Sequence, residues 1–419
     1  MIMHNATDRI VVIGAGHAAS EFAGALRAGG FPGPVLMLGE EGHLPYQRPP
    51  LSKAFLSGEA PLGALELKSA AAYEKMGVEV RTAARVVAID RRARRIELEH
   101  GEFECYGKLV LATGGRARPL AVHGLENVRK PANLHYLRTV ADAGPMRELL
   151  RPGLHLVIIG GGYVGLEVAA VARKRGLEVT VLEALPRLLA RVTAAEISAF
   201  YERIHHDAGV AIRTRAAVRR IETDPGGDSV VAVHTQDEVI GADLVLAGVG
   251  QLPNVELAER CALAVDNGVV VDEHSRSSDP DIFAIGDCSN HPSALYRRRL
   301  RLESVPNALG QARAAAATLC GSPRAYDAVP WFWSDQYDLK LQMVGLSHGH
   351  DQAVTRGAAE ERSFITFYLE AGRIIAADAV NRPKDFLAAK RLVGELVQIA
   401  PESLADESRP LQSAARTVN

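Results

Sequence analysis

The chain has 419 residues, 47% of them hydrophobic, so it can bury the cores of two or three domains at about 150 residues per domain. Its 48 basic and 50 acidic residues leave a net charge of -2, so charge alone attracts neither nucleic acid nor an acidic membrane. The sequence contains no apolar run near the roughly 18 residues of a membrane helix, and its first residues lack a signal-peptide pattern. We therefore expect a soluble α/β protein.

The cysteine and histidine spacing predicts neither a disulfide framework nor a metal site. The four cysteines stand far apart, without a Cys-x-x-Cys pair, which argues against a dithiol relay or a zinc ribbon. The histidines of 205–206 and 348–350 have no cysteine or carboxylate at ligand spacing, so we interpret them as surface histidines. This composition favours a reducing compartment, the cytoplasm.

The first predicted element is a short β-branched strand over residues 10–13 that runs into Gly14-x-Gly16. Helix-forming residues follow over 20–26, which completes the strand, turn and helix of a dinucleotide-binding fingerprint. The first glycine permits the tight turn, the second lets the backbone approach a pyrophosphate, and the small Ala19 allows close helix packing. A second strand ends at Glu40, at about the 20-residue offset of a carboxylate that binds ribose hydroxyls.

The same pattern returns later in the chain. A strand over 156–159 leads into Gly160, Gly162 and Gly165, and helix-forming residues continue to Lys174. A bare glycine pattern is expected about once by chance in a chain of this length, but two copies in the correct context are not. The sequence therefore predicts two bound dinucleotides.

An acid also follows the second strand of this repeat, at Glu183. A carboxylate that accepts from the 2′-hydroxyl of a ribose repels a 2′-phosphate, so Glu183 favours NADH over NADPH. Arg187 and Arg191 follow within two turns, where they could soften that repulsion.

Three more apolar strands end in turns, over 109–115, 244–250 and 282–287. The last of them delivers Asp287 at its carboxyl end, the edge at which open α/β sheets bind ligands.

Seven motifs succeed one another along the chain. They are Gly14-x-Gly16, Arg48-Pro49-Pro50-Leu51-Ser52-Lys53, Ala112-Thr113-Gly114-Gly115, Gly160 to Glu167, Gly286-Asp287, Glu303 to Asn307, and Pro330 to Tyr337. This set resembles the flavoproteins with two dinucleotide-binding domains, and most closely the putidaredoxin reductase-like, FAD-dependent NADH–ferredoxin reductases of bacterial haem monooxygenase and Rieske oxygenase systems. The resemblance extends from Ile10 to about Leu411.

The resemblance implies an α/β fold with two Rossmann-like domains and a carboxyl-terminal α+β domain. The FAD domain would consist of residues 1–120 and 245–325, with the NADH domain, 121–244, inserted between them. Residues 326–419 would form an interface domain, and because periodicity is lost after about Pro401 we expect a mobile tail there.

The resemblance also implies the site residues. Those carried over for FAD are Gly14, Gly16, Ala18, Glu40, Arg48, Lys53, Val86, Thr113, Gly114, Arg138, Asp287, Val305 and Trp333. Those for NADH are Gly160, Gly162, Tyr163, Val164, Gly165, Glu167, Glu183 and Gly250. Lys53 and Glu167 are the expected catalytic pair, since an ammonium beside the flavin stabilises its reduced form and a buried lysine needs an anionic partner.

The electron acceptor is expected to be a separate protein. Residues 39–53 contain no cysteine, so this segment offers no thiol to receive electrons from the flavin. A flavin can release single electrons, which suits a 2Fe-2S ferredoxin. A basic set beside the Val305 motif would dock an acidic ferredoxin, unless it is a solvated loop balanced by local acids. Its members are Arg297, Arg298, Arg299, Arg301 and Arg313.

Two other functions remain open on the same scaffold. One is an NADH oxidase, quinone reductase or monodehydroascorbate reductase. The other is a flavoprotein whose slow reaction with NADH switches its association with partners, similar to apoptosis-inducing factor. The net charge of -2 argues against the latter, which usually carries a basic nucleic-acid surface.

Overall fold

A computed structural model describes residues 9–126 and 130–411 of the chain. The strands are β1 (Ile10–Ile13), β2 (Val35–Leu38), β3 (Val78–Arg81), β4 (Val86–Asp90), β5 (Arg95–Leu98), β6 (Phe103–Cys105), β7 (Lys108–Leu111), β8 (Gly115–Ala117), β9 (Leu134–His135), β10 (His155–Ile159), β11 (Glu178–Leu182), β12 (Val210–Arg213), β13 (Arg220–Thr223), β14 (Val230–His234), β15 (Val239–Gly241), β16 (Leu244–Ala247), β17 (Gln251–Pro253), β18 (Val269–Val270), β19 (Ile282–Ala284), β20 (Ser289–Ser293), β21 (Arg298–Leu300), β22 (Trp331–Gln336), β23 (Leu339–Gly345), β24 (Gln352–Ala358), β25 (Ser363–Glu370) and β26 (Arg373–Val380). The α-helices are α1 (His17–Ala28), α2 (Ala54–Ser57), α3 (Ala70–Lys75), α4 (Val140–Leu149), α5 (Tyr163–Lys174), α6 (Ala195–Asp207), α7 (Glu256–Arg260), α8 (Val305–Leu319), α9 (Pro383–Gly394) and α10 (Pro401–Ala405).

The first compact unit contains the chain up to Gln47 together with Leu62–Arg116 and Leu252–Pro330. Its parallel sheet has the strand order β19-β7-β1-β2-β3. Every residue of β1 and β2 is buried, as expected of a parallel sheet covered on both faces. Because these strands are parallel, the carboxyl ends of β1, β2, β7 and β19 lie at one edge of the sheet. Predicted ligand residues of this unit follow the strands at that edge.

The second compact unit contains Arg48–Pro61, Ala117–Gln251 and the chain from Trp331 onward. It holds a second parallel sheet, β12-β11-β10-β16-β9, and an antiparallel sheet, β22-β23-β26-β25-β24. One hydrophobic core is shared by α5, α6 and the antiparallel sheet, since Leu166, Phe200 and Phe364 belong to the same buried cluster. The expected fold class is confirmed: parallel Rossmann-like sheets accompany a carboxyl-terminal antiparallel sheet.

The two fingerprint helices begin earlier than the sequence predicts. Helix-forming residues suggested starts near Ser20 and Leu166, whereas α1 begins at His17 and α5 at Tyr163. Each helix therefore starts directly after the second glycine of its turn, which is the helix N-cap. This geometry places the third, small residue of the fingerprint within the first helical turn, where it packs against the strand.

The expected mobile tail after Pro401 is wrong for residues 401–411. Helix α10 follows, and Leu404 and Leu411 are buried. The guanidinium of Arg356, on β24, donates hydrogen bonds to the backbone carbonyls of Leu404, Asp406 and Arg409 at 3.2, 2.6 and 2.7 Å. The rest of the expected tail, residues 412–419, lies outside the described residues. Within residues 9–126 and 130–411, none of the helices is long and apolar enough to cross a membrane.

A buried acid, Asp378 on β26, makes the stability of the antiparallel sheet depend on pH. Its side chain is almost fully buried and accepts a hydrogen bond from the Tyr368 hydroxyl at 2.8 Å. Burial raises the pKa of Asp378 to about 7, although the Tyr368 hydrogen bond acts in the opposite direction. In an unfolded chain the pKa of aspartate is about 4. Between about pH 4 and pH 7 the folded state thus holds a proton that the unfolded state has lost, and stability falls as the pH rises.

We predict that Asp378→Asn removes this pH dependence. The free energy of unfolding of the variant, relative to the original protein, should increase by about 2 kcal/mol from pH 5 to pH 8. Chemical denaturation of the FAD-loaded proteins at the two pH values measures it. Asp338→Asn is the control because the Asp338 side chain is 69% exposed. An equal difference in stability at both pH values would contradict the prediction.

Candidate active site

The first glycine turn has the backbone geometry of a phosphate loop. Gly14 has φ +115°, and a Cβ added there would lie 2.2 Å from the carbonyl oxygen of Ala112, so the turn admits only glycine. A Cβ added at Gly16 would meet nothing within 4 Å, so the backbone faces open space. Since glycine offers no capping side chain, the amino end of α1 is suited to an anionic ligand.

The second turn repeats the arrangement. Gly160 has φ +114°, and an added Cβ would lie 2.4 Å from the carbonyl oxygen of Gly248. Gly162 again faces open space, whereas a Cβ at Gly165 would lie 2.2 Å from the carbonyl oxygen of Gly160. The residues present therefore fit the pyrophosphate of a dinucleotide at both turns.

Two backbone hydrogen bonds hold the loop after Glu40. The N–H groups of Ala83 and Ala84 donate to the carbonyls of Glu41 and Gly39, each within 2.9 Å. Glu40 itself is exposed, and Val86, the first residue of β4, is buried. The structure thus brings Glu40 close to the start of β4, as expected if both contact one ligand.

Glu183 is oriented by the second phosphate loop. Its carboxylate accepts hydrogen bonds from the N–H groups of Gly161 and Leu185, each at 2.8 Å. Arg187, expected to soften repulsion of a 2′-phosphate, instead donates to Ser198 Oγ at 2.5 Å and to the carbonyl of Ala190 at 3.1 Å. Its guanidinium is therefore engaged by its own loop and by α6.

Gly250 lies between two arginines of the second unit. Its carbonyl accepts from the N–H of Arg118 at 2.9 Å, and a Cβ added at Gly250 would lie 3.8 Å from a guanidinium nitrogen of Arg191. Arg191 is exposed, so it remains the basic side chain that could meet a phosphate here.

Gln311, on α8, supports the Asp287 turn. Its Oε1 accepts from the N–H of Gly286 at 2.6 Å and from Ser289 Oγ at 2.8 Å, while its Nε2 donates to His291 at 3.0 Å. A Cβ added at Gly286 would lie 3.3 Å from the Cβ of Ala18. The structure thereby brings Ala18, the Asp287 turn and the first turn of α8, which begins at Val305, together. Sequence reasoning missed Gln311 because its partners lie 20 to 25 residues away.

The Thr113–Gly114 turn is held by Asn254. Thr113 Oγ1 donates to the Asn254 carbonyl at 2.7 Å, and Asn254 Nδ2 donates to the Thr113 carbonyl at 2.9 Å. The N–H of Asn254 also donates to the Gly114 carbonyl at 2.9 Å. This reciprocal bonding explains the asparagine that follows the strand over 244–250.

The central feature of the second unit is an ion pair between Lys53 and Glu167. Lys53 Nζ lies 2.8 Å from Glu167 Oε2, with the lysine side chain 20% exposed and the glutamate side chain 4% exposed. Lys53 separates the 3₁₀ helix over Pro49–Ser52 from α2, and Glu167 lies one turn into α5. The pairing expected from the sequence is therefore present.

Two serine hydroxyls complete the surroundings of the Glu167 carboxylate. Ser52 Oγ donates to Oε2 at 2.5 Å, and Ser334 Oγ, from β22, donates to Oε1 at 2.6 Å. Each carboxylate oxygen thus has at least one donor, which a buried charge requires. Both serines stand in motifs that the sequence singles out, but neither was assigned a role there.

Several other predicted residues lie in the same compact unit as this pair. Arg48 donates to the carbonyl of Arg138 at 2.9 Å. On β22, Phe332 lies with its ring centroid 4.9 Å from that of Tyr163, while Trp333 stacks at 5.7 Å on Trp331. Val164, the next residue of α5, is 41% exposed. These flavin-assigned and NADH-assigned residues therefore belong to the same compact unit.

The interpretation of both residues at 205–206 as surface histidines is half wrong. His206 is exposed, but His205 is fully buried and its Nε2 lies 2.8 Å from Gln336 Oε1. Adjacent residues of a helix point in different directions, so only the packing of α6 decides which one is covered.

The arginines of the expected docking surface differ in their surroundings. Arg301 forms an ion pair with Glu303 at 2.6 Å, and Arg313 forms one with Glu21 at 2.5 Å. Local acids therefore offset two of the five charges. The other members, Arg297, Arg298 and Arg299, are exposed residues, but the Arg299 guanidinium donates to the backbone carbonyls of Val271 and Asn290.

Comparison with known proteins agrees with this geometry. The family described as pyridine nucleotide-disulphide oxidoreductase matches residues 8–312, and the family described as reductase C-terminal matches residues 331–415. Putidaredoxin reductase CamA of Pseudomonas putida is 46% identical over 97% of each chain. The anthranilate 1,2-dioxygenase system ferredoxin–NAD(+) reductase component of Burkholderia cepacia is 41% identical over 97% of this chain and 99% of that protein.

A solved structure shares the whole fold. The crystal structure of the covalent putidaredoxin reductase–putidaredoxin complex aligns with a TM-score of 0.95 and 45% identity, over 99% of this chain and all of that one. The expected cofactors, FAD and NADH, are confirmed by these relationships. The chain therefore belongs to the pyridine nucleotide-disulphide oxidoreductase family, in the group that carries the reductase C-terminal domain.

Proposed function

We propose that this chain is an FAD-dependent NADH–ferredoxin reductase that delivers electrons to a 2Fe-2S ferredoxin of a bacterial haem monooxygenase or Rieske oxygenase system. The observation that carries the proposal is the Lys53–Glu167 pair, held by two hydroxyls, in a chain whose cysteines are unpaired. The similarity to ferredoxin reductases along nearly the whole chain supports it.

The proposed site residues form two groups: those that would bind FAD or NADH, and those that would act on the transferred charge. The turn glycines Gly14 and Gly16 and the amino end of α1 would hold the FAD pyrophosphate, while Glu40 would bind its ribose. Gly160, Gly162 and Glu183 would do the same for NADH, and the carboxylate of Glu183 disfavours a 2′-phosphate. The remaining FAD positions are Ala18, Arg48, Val86, Thr113, Gly114, Arg138, Asp287, Val305 and Trp333, and the remaining NADH positions are Tyr163, Val164, Gly165 and Gly250.

Lys53 would act on the charge that develops during reduction. When bound, FAD supplies the conversion of a two-electron hydride donor into single electrons. The Lys53 ammonium, largely screened from water and oriented by Glu167, would stabilise negative charge that arrives at its position. Glu167 would thus hold the lysine in place, and it remains an expected NADH position.

The cysteines argue against thiol chemistry in this member of the family. Cys261 and Cys288 are buried, and burial raises the pKa of both thiols, so they stay neutral at pH 7 instead of forming reactive thiolates. Cys105 is exposed and Cys320 is half-buried, and all four are unpaired. Electrons must therefore leave for an external acceptor, and free thiols fit our assignment to the cytoplasm.

The exposed arginines support a docking surface for that acceptor. Arg297 stands at the turn that precedes β21, and Arg298 and Arg299 lie on β21. Arg301 and Arg313 extend the set but share their charge with acids. We expect Arg297 and Arg298 to attract an acidic ferredoxin most strongly.

The first prediction tests the function itself. With NADH and cytochrome c, the FAD-loaded protein should reduce cytochrome c at least about tenfold faster when a 2Fe-2S ferredoxin is added, because the cluster accepts single electrons. Rapid reduction of oxygen or a quinone without ferredoxin would favour the oxidase or quinone reductase alternative. Slow turnover with every acceptor would favour a partner-switching flavoprotein.

The second prediction concerns Lys53. Lys53→Met should slow reduction of bound FAD by NADH about a hundredfold, because it removes the positive charge that stabilises the reduced state. Stopped-flow absorbance measures the rate, and the flavin spectrum verifies that FAD is retained. Lys174→Met is the matched control, since Lys174 lies on α5 but its side chain is 72% exposed. A normal rate in Lys53→Met would refute the role.

The third prediction concerns docking. Charge reversal of Arg297 and Arg298 to glutamate should raise the KM for ferredoxin about tenfold at low salt and less at high salt, where screening weakens the attraction. Ferricyanide reduction should not change. Arg92→Glu reverses an exposed arginine on the β4–β5 turn of the same unit and serves as the control. Equal losses with both acceptors would rule out a docking role.

A further inference from the structure

A chain of buried polar side chains continues from the Glu167 carboxylate to the surface. Ser334 Oγ donates to Glu167 Oε1, and Gln336 Nε2 donates to Ser334 Oγ at 3.1 Å. Gln336 Oε1 lies 2.8 Å from His205 Nε2, and His205 Nδ1 lies 3.0 Å from the hydroxyl of Tyr337. Ser334, Gln336 and His205 are each at most 1% exposed, while Tyr337 is 38% exposed.

The number of protons on each side chain allows only one direction of donation along this series of hydrogen bonds. The Ser334 hydroxyl has a single proton, which goes to the Glu167 carboxylate, so Ser334 can only accept from its other neighbour. Gln336 must therefore turn its NH₂ group to Ser334 and its oxygen to His205. His205 in turn must carry its proton on Nε2, and its Nδ1 accepts from the Tyr337 hydroxyl.

The charge state of His205 agrees with this direction. Burial lowers the pKa of His205 to about 4, against a smaller opposing effect of the Gln336 hydrogen bond, so the ring is neutral at pH 7. A neutral ring has one N–H donor and one acceptor nitrogen, the combination that this position requires. Every link then donates toward Glu167, and successive hydrogen bonds polarise one another in this sense.

We propose that Ser334, Gln336 and His205 form a positioning relay that orients the Glu167 carboxylate and, through it, the Lys53 ammonium. The proposal rests on the proposed function, because Lys53 matters to the reaction only if it acts on a bound flavin. None of the three relay residues touches Lys53. Their effect passes through the carboxylate, which the relay holds in one orientation.

Loss of the relay should act on the orientation of Glu167. Without the Ser334 hydroxyl, Oε1 of a carboxylate that is 4% exposed loses its donor. The carboxylate then has one fewer hydrogen bond to fix its position, so the Lys53 ammonium that pairs with it is held less firmly. Ser334→Ala should therefore slow reduction of the bound flavin.

The experiment compares two properties of the FAD-loaded variants. In Ser334→Ala the rate of flavin reduction by NADH should fall about tenfold, the size expected for a lost hydrogen bond to a charged group. The midpoint potential of the bound flavin should become more negative, because Lys53 stabilises the reduced state less well. Ser334→Thr, which keeps a hydroxyl, should restore both, whereas a structural role alone would leave the potential unmoved.

The distal part of the relay has its own pair of variants. His205→Ala should move the midpoint potential in the same direction by a smaller amount, and His205→Gln, which keeps an N–H donor, should move it less. His206→Ala, at the exposed neighbouring position, should have no effect. Independently of activity, ¹⁵N NMR of histidine-labelled protein should show the His205 ring neutral at pH 7 with its proton on Nε2.

An unchanged reduction rate and midpoint potential in Ser334→Ala, or a His205 ring protonated on Nδ1 at pH 7, would overturn the relay. These failures differ from failure of the proposed function. If NADH reduces the bound flavin of Lys53→Met as fast as that of the original protein, the role of Lys53 is refuted, and the relay is refuted with it. If Lys53→Met is slow and Ser334→Ala is normal, only the relay is refuted.

Discussion

The second unit is organised around one buried negative charge. A carboxylate removed from water must be surrounded by donors, and Glu167 obtains them from Lys53, Ser52 and Ser334. These donors come from two distant stretches of chain, so the requirement joins the short segment after Arg48 and the antiparallel sheet to the same turn of α5. The C-terminal sheet thus does more than cover a core, since its first strand supplies one oxygen of the carboxylate with its donor.

The two phosphate loops share one backbone geometry, which suits a dinucleotide at each of them. In both loops the first glycine avoids a clash with a neighbouring carbonyl, and the second leaves open space at a helix amino end. The loops differ in the third position, where Ala19 is tolerated in one and Gly165 lies against the carbonyl of Gly160 in the other. The chemistry depends on what lies beyond the loops, because both loops only hold an anion.

The family description names disulphide chemistry, whereas all four cysteines of this chain are unpaired. Burial raises the thiol pKa of Cys261 and Cys288. In our proposal the functional centre of the second unit is instead the Lys53 ammonium, oriented by the Glu167 carboxylate and its hydroxyl donors. The same scaffold would then pass electrons outward without an internal sulfur relay.

The sequence alone determined the parts of this protein that depend on local spacing. Strand, glycine turn, helix and acid follow from residues within about thirty positions of one another, and the Lys53–Glu167 pairing followed from the motifs that contain the two residues. The tertiary structure alone decided the surroundings of that pair. Ser334 meets Glu167 across 167 positions, and His205 rather than His206 is buried because α6 packs in one orientation. The residue type of a serine or a histidine does not determine whether it is buried or exposed. Only the packing of distant elements decides its burial and its hydrogen-bond partners.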